Sequence, residues 1–385
     1  MNDTSLIAPL IRAEVAGLPD YNAGLALDRF RQIYGIDAVA KLDSNENPLG
    51  PSPAAIAAIR DAAAGVGRYP DAADTSLRQA IGTACGVEED AVIIGNGSED
   101  LIGAIFRAVL RPGDRVVTIC PSFGLHEFGA RACGATVDKV VFPQDWSFPV
   151  DGLISALKQP ARILVFSSPS NPAGPAIAEE ELRRLLQAVQ PGTLVVFDEA
   201  YREYLPPELD FDALALLRAA GVAWISLRTF SKAYGLAGAR VGYGLCSDPA
   251  MVRALRKTRN PFAVNALAGA AALAALADAP HLARAVELAQ AERERVAAAM
   301  RAKGVEIAPS YGNFLFFRTG GPAGATAEAL RHKGILIKAW QEEPYLDWAR
   351  VTMGDRAAND AFLVALAAAI PHEAENRAVR QASAG

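Results

Sequence analysis

Apolar residues in the first two-thirds of the chain gather in short unbroken runs instead of alternating strictly with polar ones. Ala91-Val92-Ile93-Ile94, Val116 to Ile119, Ile163 to Phe166, Leu194 to Phe197, Val222 to Leu227 and Val241 to Leu245 are such runs. Their length and β-branched content predict strands covered on both faces. Stretches of good helix formers stand among them, Ala54–Ala64, Leu101–Leu110 and Glu179–Val189. That alternation predicts an α/β fold with an open, mainly parallel sheet flanked by helices, whose function sits at the C-terminal ends of the strands. From Arg253 to Arg301 helical periodicity takes over, broken near Pro261 and at Ala279-Pro280. Three strand candidates, Val305–Ile307, Asn313–Phe317 and Ile335–Ile337, then precede a closing helix, Ala357–Ala368, and predict a smaller α+β C-terminal domain. Before residue 37 there is only a short amphipathic stretch, Leu25–Ile33. The expected division is an N-terminal arm (1–48), a large domain (49–275) and a small domain (276–385). The polar tail after His372 is expected to fray.

Composition narrows the function classes. A length of 385 residues suits one large and one smaller domain. The formal charge of −5 leaves no electrostatic footprint for nucleic acid. The longest apolar stretch, Ala263 to Ala277, is too short to span a bilayer, and no basic-then-apolar segment opens the chain. Cys85, Cys120, Cys133 and Cys246 are scattered without ligand spacing, so neither a metal site nor a disulfide framework is expected. These features predict a soluble cytoplasmic protein without nucleic-acid or membrane partners.

The chemistry centres on Thr229 to Arg240, T-F-S-K-A-Y-G-L-A-G-A-R. Lys232 is flanked by small and apolar residues, and a desolvated lysine becomes a usable amine nucleophile. Upstream, Gly95-Asn96-Gly97-Ser98-Glu99-Asp100 joins a strand to a helix start, where converging N–H groups can hold an anion. Alone, the same string also reads as an ordinary helix start capped by Ser98. Asp198-Glu199 at a strand end also occurs in nucleotide hydrolases, but the chain has no G-x-x-x-x-G-K-[ST] loop. His126 has no nucleophile motif to serve and is expected to be a bystander.

The string S-K-x-x-G-L-A-G-x-R resembles the cofactor-lysine motif of fold-type I pyridoxal phosphate-dependent aminotransferases, most of all the histidinol-phosphate aminotransferases. L-D-S-N-E-N-P at Leu42–Pro48, R-Y-P at Arg68–Pro70, N-P-A-G at Asn171–Gly174, the Asp198–Tyr201 string and Arg350 follow that family's motifs in order. The resemblance implies pyridoxal 5′-phosphate as cofactor and Lys232 as the residue that carries it. Gly97, Ser98 and Glu99 would hold the phosphate through backbone N–H groups, with Ser231 and Arg240. Phe123 would stack on the ring, Asp198 would face the ring nitrogen, and Asn171 and Tyr201 would face the phenolic oxygen. Tyr69 would reach the phosphate in the partner's site, which implies a homodimer with shared active sites. Arg350, Lys338, Tyr21 and Asn47 are the implied substrate-binding residues, with Lys338 where the family commonly carries arginine. The implied reaction is transamination of L-histidinol phosphate with 2-oxoglutarate in histidine biosynthesis. Three readings share the motifs: an aromatic or broad-range aminotransferase, a phospho-amino-acid decarboxylase, and a regulator built on this fold.

Overall fold

The computed structural model describes residue 7 and residues 10–370. The tail after His372 lies outside the described residues. Among the described residues, twelve strands occur in chain order. The first six are β1 (Ala40–Lys41), β2 (Val92–Gly95), β3 (Arg115–Cys120), β4 (Thr136–Val141), β5 (Ile163–Ser167) and β6 (Leu194–Asp198). The rest are β7 (Ala223–Thr229), β8 (Gly242–Cys246), β9 (Phe314–Arg318), β10 (Ile335–Leu336), β11 (Lys338–Ala339) and β12 (Trp348–Thr352). Seven form the central sheet in the order β2-β8-β7-β6-β5-β3-β4, with β8 antiparallel to both neighbours and the other pairs parallel.

Alternation along the central strands explains why they read as solid apolar runs. Val117, Ile119, Leu164, Phe166, Val195 and Phe197 enter one core, whereas Val116, Ile163, Val165, Leu194 and Val196 enter the core on the opposite face. Helices cover both faces, so neither set of side chains meets water. β4 departs from that rule: it is an edge strand with no buried residue, and its sequence Thr-Val-Asp-Lys-Val-Val carries no continuous apolar run.

A second unit is built on the antiparallel sheet β11-β12-β9 and the helices Ala279–Arg301, Ala323–Arg331 and Arg356–Ala369. Its core also takes in Ala40 and Leu42 from the N-terminal segment, because β1 pairs in parallel with β10. Residues 42–50 therefore run along the seam between this unit and the central sheet. Among the described residues, no single helix is long and apolar enough to cross a membrane.

Candidate active site

The C-terminal ends of β3, β5, β6 and β7 open onto one cavity of about 650 Å³. The helix Gly97–Val109 begins at its rim, one turn earlier than the sequence pattern predicts. Asn96 occupies the cap position without capping, since its Nδ2 donates to Ala263 O at 2.9 Å. Ser98, the cap residue in one reading of the sequence, lies inside the first turn. No side chain caps the first-turn N–H groups, which leaves them for an anion. Gly97 adopts φ +78°, and a Cβ on it would meet Arg240 Nη2 at 2.8 Å. The missing side chain thus lets a guanidinium lie against the positive end of the helix. Glu99 Oε2 holds that guanidinium at 3.4 Å. Gly242 is equally constrained: a Cβ there would meet Ser98 N at 2.5 Å. Thr229, the last residue of β7, and Ser231, in the loop that follows, add hydroxyls 2.9 Å apart. Helix end, guanidinium and hydroxyls make a cradle fitted to a phosphate dianion.

Lys232 projects into this cavity, and its Nζ donates to Ser44 O at 3.2 Å. Burial, with Arg350 as the next cause, lowers its pKa to about 8. On β6, successive residues face opposite ways. Asp198 lines the cavity, while Glu199 turns away to accept from Arg228 Nε and Nη2 at 3.0 Å and from Ser226. Tyr201 follows, buried, with its pKa raised to about 12 by burial. Its hydroxyl accepts from Asn45 Nδ2 at 2.8 Å. Phe123 forms part of the wall, edge-on to Tyr21 at 6.4 Å between centroids. Burial, then the charge of Glu99, raises the Tyr21 pKa.

One end of the cavity carries two cations because register places them together: Lys338 of β11 pairs directly with Arg350 of β12. Arg350 donates to Asn171 Oδ1 and to Asp43 O, both at 2.6 Å. That leaves the Asn171 amide N–H₂ free to donate. Arg350 Nε is buried without a hydrogen-bond partner among the described residues. Lys338 donates to Asn22 O, and burial, then Arg350, lowers its pKa to about 8.

Two expected site residues lie elsewhere. Asn47 does not line the cavity; its carboxamide donates to Ala233 O at 2.9 Å and accepts from Leu49 N at 2.9 Å, so it shapes the loop. Tyr69 is 83 % exposed outside this chain's cavity, stacked on Phe262 at 4.6 Å.

His126 requires a correction. It is fully buried against Asp198, with Nε2 3.3 Å from Asp198 Oδ2 and Nδ1 3.1 Å from Ser122 Oγ. The reading as a bystander looked only for a nucleophile and missed that a histidine at the third position of a helix could lie against a carboxylate on the next-but-one strand. The seam residue Asn45 was also missed, because its partners lie 156 and 307 residues away.

Comparisons with known proteins agree with this geometry. The family model for aminotransferase class I and II matches residues 37–366. Histidinol-phosphate aminotransferase 1 of Mesorhizobium japonicum is 46 % identical over 94 % of this chain and 99 % of its own length. Histidinol-phosphate aminotransferase 3 of Rhizobium meliloti is 44 % identical, over 92 % and 96 %. Among solved structures, histidinol-phosphate aminotransferase from Sinorhizobium meliloti in complex with pyridoxal-5′-phosphate superposes with a TM-score of 0.84 at 30 % identity, covering 92 % of this chain and 96 % of that one.

Proposed function

We propose, from the premise that this chain belongs to the aminotransferase class I and II family, that it is a pyridoxal 5′-phosphate-dependent transaminase converting L-histidinol phosphate and 2-oxoglutarate to imidazole acetol phosphate and L-glutamate. Its place is histidine biosynthesis, in the cytoplasm. The observation that carries the substrate reading is the cross-strand pair Lys338 and Arg350 at one end of the cavity, two cations for an anionic substrate. The residue division 1–48, 49–275 and 276–385 into arm, large domain and small domain belongs to the same reading.

The cradle of Gly97, Ser98 and Glu99 N–H groups with Ser231 and Arg240 would hold the cofactor phosphate, and Lys232 would carry the cofactor. Phe123 would cover the ring, Asp198 would face the ring nitrogen, and Asn171 and Tyr201 would donate to the phenolic oxygen. When bound, the cofactor supplies a carrier for the amino group and a ring that takes up the electron pair left at the substrate carbon. As a free amine, Lys232 Nζ would take the proton from the carbon bearing the substrate's amino group. Arg350 clamps the carboxylate of glutamate or the phosphate of histidinol phosphate, and Lys338 meets phosphate as a point charge. Tyr21 closes the cavity from the arm.

The test sets histidinol phosphate, phenylalanine, threonine phosphate and glutamate in parallel with product analysis. Histidinol phosphate is expected to be the fastest amino donor and to give a keto product. Lys338→Ala is expected to raise its KM about tenfold, more than that of glutamate, as for a lost charge-assisted contact. Faster turnover of phenylalanine, or a decarboxylated product, would overturn the substrate assignment.

The exposed Tyr69–Phe262 stack supports a homodimer in which Tyr69 enters the partner's site. Inactive Lys232→Ala mixed with an impaired Tyr69→Ala variant should then regain activity as subunits exchange. In each heterodimer one site carries both lesions and the other neither. Equal mixing restores about a quarter of the sites in a two-fold dimer. Exchange without recovery would mean that the sites are not shared.

A further inference from the structure

We propose that Asn45 is a positioning residue for this reaction: its carboxamide fixes the direction of the Tyr201 hydroxyl, turning the phenol proton toward the cavity. The inference rests on the functional reading above. Three successive residues of the seam loop each hold one group of the site. Asp43 O accepts from Arg350, Ser44 O accepts from Lys232 Nζ, and Asn45 Nδ2 donates to Tyr201 OH at 2.8 Å.

The direction of the last bond follows from its neighbours. The Asn45 backbone N–H can only donate, and it donates to Thr352 Oγ1 at 2.8 Å. The Thr352 hydroxyl proton therefore points to its acceptor, Asn45 Oδ1, at 3.1 Å. A flipped carboxamide would aim a second N–H at Thr352 and leave that buried hydroxyl proton without its acceptor. Oδ1 thus faces Thr352 and Nδ2 faces Tyr201. Because the Tyr201 oxygen already accepts from Nδ2, its own proton is free for an acceptor in the cavity that Tyr201 lines.

The surroundings hold Asn45 in place for this purpose. It is 0 % exposed and takes φ +55°, a left-handed conformation that asparagine tolerates better than most residues. Asn313 Nδ2 donates to its carbonyl at 3.1 Å. Thr352 lies on β12, two residues from Arg350, and Tyr201 follows β6. Asn45 therefore links the substrate clamp of one unit to the phenol of the other.

The test is made on the holoenzyme, with readouts besides turnover. A proton donated by Tyr201 stabilises the anionic phenolic oxygen of bound pyridoxal 5′-phosphate. Without it that oxygen holds its neighbouring proton more tightly, and the visible absorption band titrates at higher pH. Asn45→Asp offers only acceptors and captures the Tyr201 proton. It is expected to raise the titration midpoint by about one pH unit, as for the loss of a hydrogen bond to a charged group. It should also lower kcat about tenfold, with a smaller change in KM. Most of the midpoint rise should vanish in the Tyr201→Phe background. Asn45→Gly, which suits the left-handed backbone, should shift the midpoint in the same direction by less.

An Asn45→Asp shift equally large in the Tyr201→Phe background would overturn the proposal, since the added charge would then act without the phenol. Wild-type midpoints and kcat in both Asn45 variants, with only Tm lowered, would make Asn45 a packing residue. Should Asn45→Asp fail to fold, Asn45→Gly decides by the same readout. An unmodified protein that binds no pyridoxal 5′-phosphate would sink the functional reading and this inference with it. Normal cofactor binding and turnover in that protein, with unshifted variants, would sink this inference alone.

Discussion

Lys232→Ala is expected to retain pyridoxal 5′-phosphate while turnover falls by about 10²–10⁴-fold, the usual loss when a positioned acid–base group is removed. The two effects separate because different elements produce them. On the proposed assignment, phosphate affinity comes from the helix end at Gly97, from Arg240 and from Ser231, none of which the substitution touches. Reactivity comes from an amine whose pKa lies at about 8, lowered first by burial and then by the nearby Arg350 guanidinium. Relative to an ordinary lysine, that shift raises the neutral fraction near pH 7 on the order of 10²-fold. Only the neutral amine attacks, so cofactor capture by the apoprotein should accelerate as pH rises through about 8 and level off above it. Borohydride reduction of the unmodified protein should place the label on the peptide containing Lys232. A label on another lysine, or capture that accelerates only near the ordinary lysine pKa, would overturn the assignment.

Much of this site was legible because local sequence builds it. The loops that line the cavity each follow a strand visible as an apolar run, so Asp198, Asn171, Ser231 and Lys232 could be placed at strand ends before any coordinates. What escaped was made by contacts between distant segments. β1 and β10 are two residues long and exist only by pairing with each other across some 300 residues of chain. β12 shows no clean alternation in Trp-Ala-Arg-Val-Thr because all five residues are buried, the arginine included. Its importance was read from Arg350 alone, and its register with Lys338 became visible only in the sheet. Asn47 and Asn45 illustrate the limit most directly. Two asparagines separated by one residue look alike in sequence, yet one is spent on loop backbone and the other on the phenol.

Asp198→Asn should preserve the fold, since the shape of the side chain is kept and Ala200 N can still donate to its Oδ1, now 3.0 Å away. Turnover is nevertheless expected to fall by about 10²-fold or more, comparable to removing a fixed group aimed at developing charge in a dry site. The carboxylate is buried, and no arginine or lysine forms an ion pair with it among the described residues. Its charge is therefore available, on the proposed assignment, to hold a proton on the ring nitrogen. An amide can supply a dipole but not that charge. His126 determines how completely the role is lost. Nδ1 is engaged by Ser122, and Nε2 lies 3.3 Å from Asp198 Oδ2, so the imidazole packs against the carboxylate. His126→Asn should consequently lower turnover in the same direction but by less, because the carboxylate itself remains. In the double variant most of the His126 effect should disappear, as expected for residues acting through one another. Cofactor affinity should fall less than turnover in all three proteins, because the phosphate cradle is intact. Rates of the glutamate half-reaction, cofactor Kd and Tm measured together separate these effects. Normal turnover by Asp198→Asn would remove Asp198 from the ring nitrogen, and additive losses in the double variant would make His126 independent of it.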